Sequence, residues 1–246
     1  MHKEFVSFKP DIKKAVLFIH GILGTPRHFD DFIPLVPAGY NIFNVLLDGH
    51  GGDVEDFSNT SMKKWEDQIS STVSDILINH DELLIVAHSM GTLLALSESI
   101  KYPGKVKKMF FLASPLKIYA KPSLFINSAK IYFNVQSDKD KVLLAAKKSY
   151  GIIKNDKKFW KYFYWIPRYR ELFSKIKSIR KILEEVQCNV IFFQSKNDEM
   201  VSLKSEKYLK LIKNSRIGYL ENSSHFYYEE KDQEYILNEF KNFIEQ

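Results

Sequence analysis

Short apolar runs alternate with helical periodicity along most of the chain. Ala15-Val16-Leu17-Phe18-Ile19 is five apolar residues long, too short for a helix, and predicts a strand buried on both faces. Residues 40–47, 83–87, 108–112, 190–193 and 217–220 read the same way, each followed by turn or loop chemistry. Between them, residues 62–79 place Trp65, Ile69, Val73, Ile76 and Leu77 at spacings of three and four, an amphipathic helix. Residues 92–100, 203–212 and 234–244 repeat that spacing. Strand and helix in alternation predict βαβ units, hence an α/β fold with a mostly parallel central sheet and flanking helices.

The alternation stops after Pro115 and resumes at Cys188. The intervening stretch is rich in lysine and aromatic residues, with helical patterning at 123–133, 140–149 and 171–184. This predicts a two-part organisation, with a core of residues 1–116 and 186–246 and a helical cap, or lid, of residues 117–185 over the C-terminal edge of the sheet.

Composition sharpens that division. The chain of 246 residues is 45% hydrophobic and 14% aromatic, enough for one large packed domain. Its net charge of +6 is unevenly spread: residues 117–181 hold 17 Lys or Arg against 4 Asp or Glu, and the remainder holds 19 against 26. One cysteine, Cys188, excludes an intrachain disulfide. The N-terminal residues, His2 among them, lack the apolar segment of a signal peptide, and no run approaches the roughly 18 to 20 apolar residues of a membrane span. A cytoplasmic location is the expectation.

The third strand runs into Ala87-His88-Ser89-Met90-Gly91 and then a helix, the pattern of a nucleophile elbow. Ala87 and Gly91 are the small neighbours that a tight strand-to-helix turn demands, and Ser89 would stand at its apex. The Met90 N–H at the helix start and the Ile22 N–H, in His20-Gly21-Ile22-Leu23-Gly24 after the first strand, are placed to serve a developing oxyanion. A hydroxyl needs a base, and the base needs an acid to fix its tautomer. His225, after the sixth strand, is the only histidine downstream of both the serine and a strand-end acid. Asp198 follows the fifth strand; Glu199 is its rival, one residue further on. His20 is expected to hydrogen-bond the oxyanion loop and His50 to sit in a glycine turn. No metal-ligand spacing, phosphate loop or dinucleotide fingerprint occurs, so neither metal nor cofactor is expected.

Together His20-Gly21-Ile22, Asp48-Gly49-His50-Gly51, Ala87-His88-Ser89-Met90-Gly91, Asn197-Asp198-Glu199-Met200-Val201 and Ser224-His225 resemble the α/β-hydrolase superfamily, specifically bacterial carboxylesterases and monoacylglycerol-lipase-like enzymes. The resemblance runs from about residue 15 to 243, apart from the cap. It implies cofactor-free hydrolysis of small to medium carboxylic esters or monoacylglycerols through Ser89, His225 and Asp198. The family usually has glycine where Ala87 and Ser195 stand. A thioesterase or acyltransferase would use the same triad, and a slow hydrolase-like ligand receptor would retain it. Leu23, Trp160 and Trp165 are candidate substrate-pocket residues. A nucleic-acid partner is not expected; weak association of the basic cap with anionic membrane surfaces competes with a plainer lysine-rich solvated face. The natural ester, its chain length and the oligomeric state are left open.

Overall fold

The computed structural model describes residues 3–246; Met1 and His2, which open the predicted core, lie outside the described residues. In chain order the elements are β1 (Phe5–Ser7), β2 (Lys14–Ile19), β3 (Tyr40–Val45), α1 (Val54–Ser58), α2 (Met62–Asn79), β4 (Glu82–His88), α3 (Met90–Lys101) and β5 (Val106–Leu112). There follow α4 (Pro122–Tyr132), α5 (Lys141–Ser149), α6 (Ile166–Ile179), β6 (Asn189–Ser195), α7 (Glu206–Leu209), β7 (Ser215–Leu220) and α8 (Glu230–Glu245). The sheet order is β1-β3-β2-β4-β5-β6-β7. Among the described residues, every pairing between these strands is parallel except β1 with β3.

The apolar runs are unbroken because each central strand is covered on both sides, and alternate residues enter different cores. Ala15, Leu17, Ile19, Leu83, Ile85, Met109 and Phe111 pack under α2, α3 and α6. Val16, Phe18, Leu84, Val86, Phe110 and Leu112 pack with Phe29, Phe32 and the Ile236, Phe240, Phe243 and Ile244 stripe of α8. This is the α/β-hydrolase architecture that the resemblance implied.

The structure departs from the sequence reading in four places. β1 was not predicted: three residues, mostly exposed, carry little pattern of their own. α1 was also missed, although Asp53 caps it with a reciprocal Asp53–Asp56 capping box. The helix expected at 203–212 shrinks to a 3₁₀ turn, Leu203–Ser205, and the four residues of α7, because the chain must already turn to enter β7 at Ser215. The helix expected at 171–184 is instead α6, which starts at Ile166 with Pro167 in its first turn, where the missing N–H costs nothing, and ends at Ile179.

α4, α5, a 3₁₀ segment Phe159–Trp165 and α6 all lie between β5 and β6. α6 packs against α2 and α3, and Phe159–Trp165 packs against α1. The entry to this insertion pairs with the loop after β6: the Tyr119 N–H donates to the Met200 carbonyl, the Lys121 N–H to the Glu199 carbonyl, and the Tyr119 hydroxyl to the Asp198 carbonyl at 2.6 Å. Among the described residues no helix is long and apolar enough to cross a membrane.

Candidate active site

β4 ends at the centre of the sheet, and Ser89 follows it at φ 51°, ψ −122° before α3 begins. A non-glycine residue rarely takes a positive φ, and this one is held by its surroundings. The Ser89 N–H donates to the Leu112 carbonyl at 2.9 Å, while Thr92 donates to the Ser89 carbonyl through both its N–H and its hydroxyl. Gly91 is required by the turn, since a Cβ there would lie 2.3 Å from the Ile19 carbonyl oxygen.

The loops after β6 and β7 bring Asp198 and His225 to this serine. The Ser89 hydroxyl donates to His225 Nε2 at 3.1 Å, and His225 Nδ1–H donates to Asp198 Oδ2 at 2.8 Å. All three side chains are buried. Asp198 Oδ1 accepts the Met200 and Val201 N–H groups, each at 2.7 Å, which fixes the carboxylate plane. Glu199 does something else: its Oε2 accepts the backbone N–H of His225 at 3.0 Å. Geometry therefore separates the two acids, one on the imidazole and one on the main chain.

Burial alone would lower the basicity of His225, but the charge and hydrogen bond of Asp198, with the charge of Glu199, outweigh it and raise its pKa above the ordinary value. The imidazoles beside it are shifted the other way. Burial, with the nearby imidazoles, pushes His88 well down, and burial takes His28 to about 3. Neutral His88 donates Nε2–H to the His225 carbonyl at 3.0 Å and stacks on His28 with ring centres 3.9 Å apart. A hydroxyl hydrogen-bonded to an imidazole whose far nitrogen is locked to a carboxylate can lose its proton as it attacks a carbonyl carbon.

Ile22 lies in a turn after β2, and a Cβ on Gly21 would come within 2.7 Å of Ser89 Cβ, so the turn and the serine meet in direct contact. Met90 opens α3 on the other side. Leu23 shares the turn with Ile22. Trp165 is buried between Phe57 and Tyr162, with its indole N–H donated to the Val54 carbonyl, and Trp160 stands half-exposed, edge-on to Phe159. The rings against His225 are instead His88 and Phe226. Neither the His88 contact nor the Glu199 contact was read from the sequence, because both run to main-chain atoms of His225 that no motif marks. Among the described residues no cluster of His, Cys, Asp or Glu has the arrangement to hold a metal.

A 33% identical match over 115 residues joins the chain to a probable lysophospholipase, BODYGUARD 2, of Arabidopsis thaliana, covering 43% of this chain and 24% of that protein. An equal identity over 115 residues joins it to a pimeloyl-[acyl-carrier protein] methyl ester esterase of Neisseria meningitidis, covering 45% of this chain and 41% of that one. The chain thus spans less than half the length of these curated relatives. Among solved structures, one of the metagenome-derived lipolytic enzymes LipS and LipT superposes with a TM-score of 0.75 at 19% identity, covering 99% of this chain and 97% of that one. The monoacylglycerol lipase of Paleococcus ferrophilus superposes at 0.69 with 15% identity, covering 99% of each chain, which attests the shared fold. A family model matches residues 10–232, nearly the whole chain: the protein belongs to the Hydrolase_4 family, described as serine aminopeptidase S33.

Proposed function

We propose that the protein is a serine hydrolase of carboxylic esters, of the carboxylesterase or monoacylglycerol-lipase type, working through an acyl-enzyme on Ser89. The observation that carries it is the hydrogen-bonded chain from the Ser89 hydroxyl through His225 to Asp198, at the apex of a strand-to-helix turn. His225 takes the serine proton as the acyl bond forms and returns it to the departing alcohol. The Ile22 and Met90 N–H groups receive the oxyanion. Water then repeats the sequence on the acyl-enzyme. Lysophospholipase and methyl ester esterase relatives support an ester as the substrate. The test is a panel of p-nitrophenyl esters from acetyl to palmitoyl, with monoacylglycerols, a thioester and aminoacyl anilides. Ester turnover above the others is expected; turnover of the anilides alone would replace this reading with a peptidase.

The raised basicity of His225 fixes the pH dependence. The base must be neutral to act, so kcat/KM should fall as pH drops, with a midpoint above the ordinary imidazole value of about 6.5. Glu199→Gln keeps an acceptor for the His225 N–H but removes a negative charge, and should move that midpoint down. A midpoint unchanged or raised in Glu199→Gln would contradict the electrostatic account.

Residues 117–185 act, in this proposal, as a cap that presents lipid substrate. Of the 20 large hydrophobic side chains exposed among the described residues, 13 lie within it, which sets it apart from the core. On the 3₁₀ segment, Trp160 and Phe163 are one turn apart and stand on the same side, with Phe159 edge-on to both. Exposed Lys154, Lys157 and Lys158 flank them, partly offset by Asp53 and Glu55 across a shared groove. Aromatics with basic residues suit an anionic lipid–water interface. Co-sedimentation with phosphatidylserine-containing vesicles should exceed that with phosphatidylcholine vesicles at low salt, and Trp160→Ser with Phe163→Ser should remove the difference. Equal, negligible binding to both would leave a solvated face.

A further inference from the structure

The turn that carries Ile22 is held by residues far from the nucleophile. A trans peptide points its N–H opposite to its carbonyl, so whatever fixes the Gly21 carbonyl also aims the Ile22 N–H. Two donors fix it: the Gly24 N–H at 2.9 Å and His20 Nδ1–H at 2.8 Å. His20 is itself oriented, because its Nε2 accepts the Leu47 N–H at 3.0 Å.

The next two peptides are held just as firmly. Leu23 stands at φ 55°, a conformation costly for a branched side chain. Its N–H donates to His50 Nε2 at 3.0 Å, and its carbonyl accepts the Gly151 N–H at 2.6 Å. Because Nε2 accepts, the proton of His50 sits on Nδ1, which donates to the Leu47 and Asp48 carbonyls. Burial pushes the His50 pKa down to about 4, so the acceptor is present throughout the neutral range.

Gly151 belongs to the insertion, not to the core. Residues 151–153 thread between the Ile22 turn and the glycine turn that carries His50: the Gly51 N–H donates to the Gly151 carbonyl at 2.7 Å and the Ile153 N–H to the Gly52 carbonyl at 2.8 Å. The fit leaves no room for a side chain. A Cβ at position 151 would lie 2.4 Å from the Gly24 carbonyl oxygen and 3.1 Å from that of Leu23.

We infer that His50 and Gly151 are positioning residues for the oxyanion-binding N–H of Ile22, so that the insertion completes a site whose reacting groups all lie in the core. The inference rests on the esterase reading. Neither residue is among the reacting groups; each acts through the conformation of Leu23. Gly151→Ala pushes strap and turn apart, and His50→Phe keeps the ring among Phe57 and Trp65 but removes the acceptor. His50→Gln sets an oxygen close to where Nε2 was.

The experiment compares wild type, Gly151→Ala, His50→Phe and His50→Gln on a p-nitrophenyl ester and the corresponding thionoester, whose sulfur accepts hydrogen bonds weakly, and follows amide exchange at Leu23 by NMR. Gly151→Ala and His50→Phe should lose about 10- to 100-fold in kcat on the oxygen ester with little change in KM, since loss of an oxyanion donor costs roughly 10²–10³. The thionoester rate should fall much less, Leu23 exchange should quicken, and His50→Gln should recover most of the loss. An unchanged ester-to-thionoester ratio, or a loss confined to KM, would overturn the inference even with faster exchange at Leu23. If wild type turns over neither ester, the esterase reading fails instead, and unaltered Leu23 exchange in both variants then overturns the clamp itself.

Discussion

Ser89→Ala should abolish turnover of every ester, a loss on the order of 10⁶ in kcat if removal of this nucleophile behaves as in other serine hydrolases. The substitution is a clean one. Alanine meets the same backbone cost as serine at φ 51°, and the contacts that hold the turn, the Leu112 carbonyl and the two bonds from Thr92, reach only main-chain atoms of residue 89. Circular dichroism and melting temperature should therefore match wild type. A fluorophosphonate should label wild type at Ser89 alone and leave the variant unlabelled. Labelling at another serine, or hydrolysis by the alanine variant, would end the acyl-enzyme reading.

Asp198→Asn should cost on the order of 10⁴ in kcat while the protein stays folded. Asparagine retains an oxygen for the Met200 and Val201 N–H groups, so the loop keeps its shape. Its amide would turn an N–H toward His225, however, and force the imidazole proton onto Nε2, where it faces the serine and blocks proton transfer. Glu199→Gln should cost far less, because that carboxylate holds the His225 main chain and glutamine still can. A large loss in Glu199→Gln with little in Asp198→Asn would reverse the roles of the two acids.

How much of this was legible in the sequence follows from where each interaction ends. Strands such as Ala15–Ile19 were legible because burial on both faces demands an unbroken apolar run, and α8 because its stripe repeats every three or four residues. β1 was not, since three edge residues half in water need no pattern. The hydrogen bonds that join Ser89, His225 and Asp198 were legible because they run between side chains and the proposed roles carry a fixed chain order. Glu199 was only a rival by position, since its partner is a main-chain N–H, and Gly151 left no trace at all. A lone glycine after Tyr150 reads as an ordinary turn until the Leu23 and Gly24 carbonyls are seen against it.

The strand order also sets when this site can come into being. The sheet carries β6 and β7 at one edge, and both follow the insertion in the chain. On the ribosome, domains emerge and fold from the N-terminus. A nascent chain that ends after β5 but before residue 225 can shape the Ser89 turn against β2 and β5, yet it holds no imidazole at 3.1 Å from that hydroxyl. The serine is thus made well before the group it hydrogen-bonds, and a truncated chain carries the turn without the relay. Synthesis of the chain past residue 225, not the making of the central strands, is the step that brings the three side chains together.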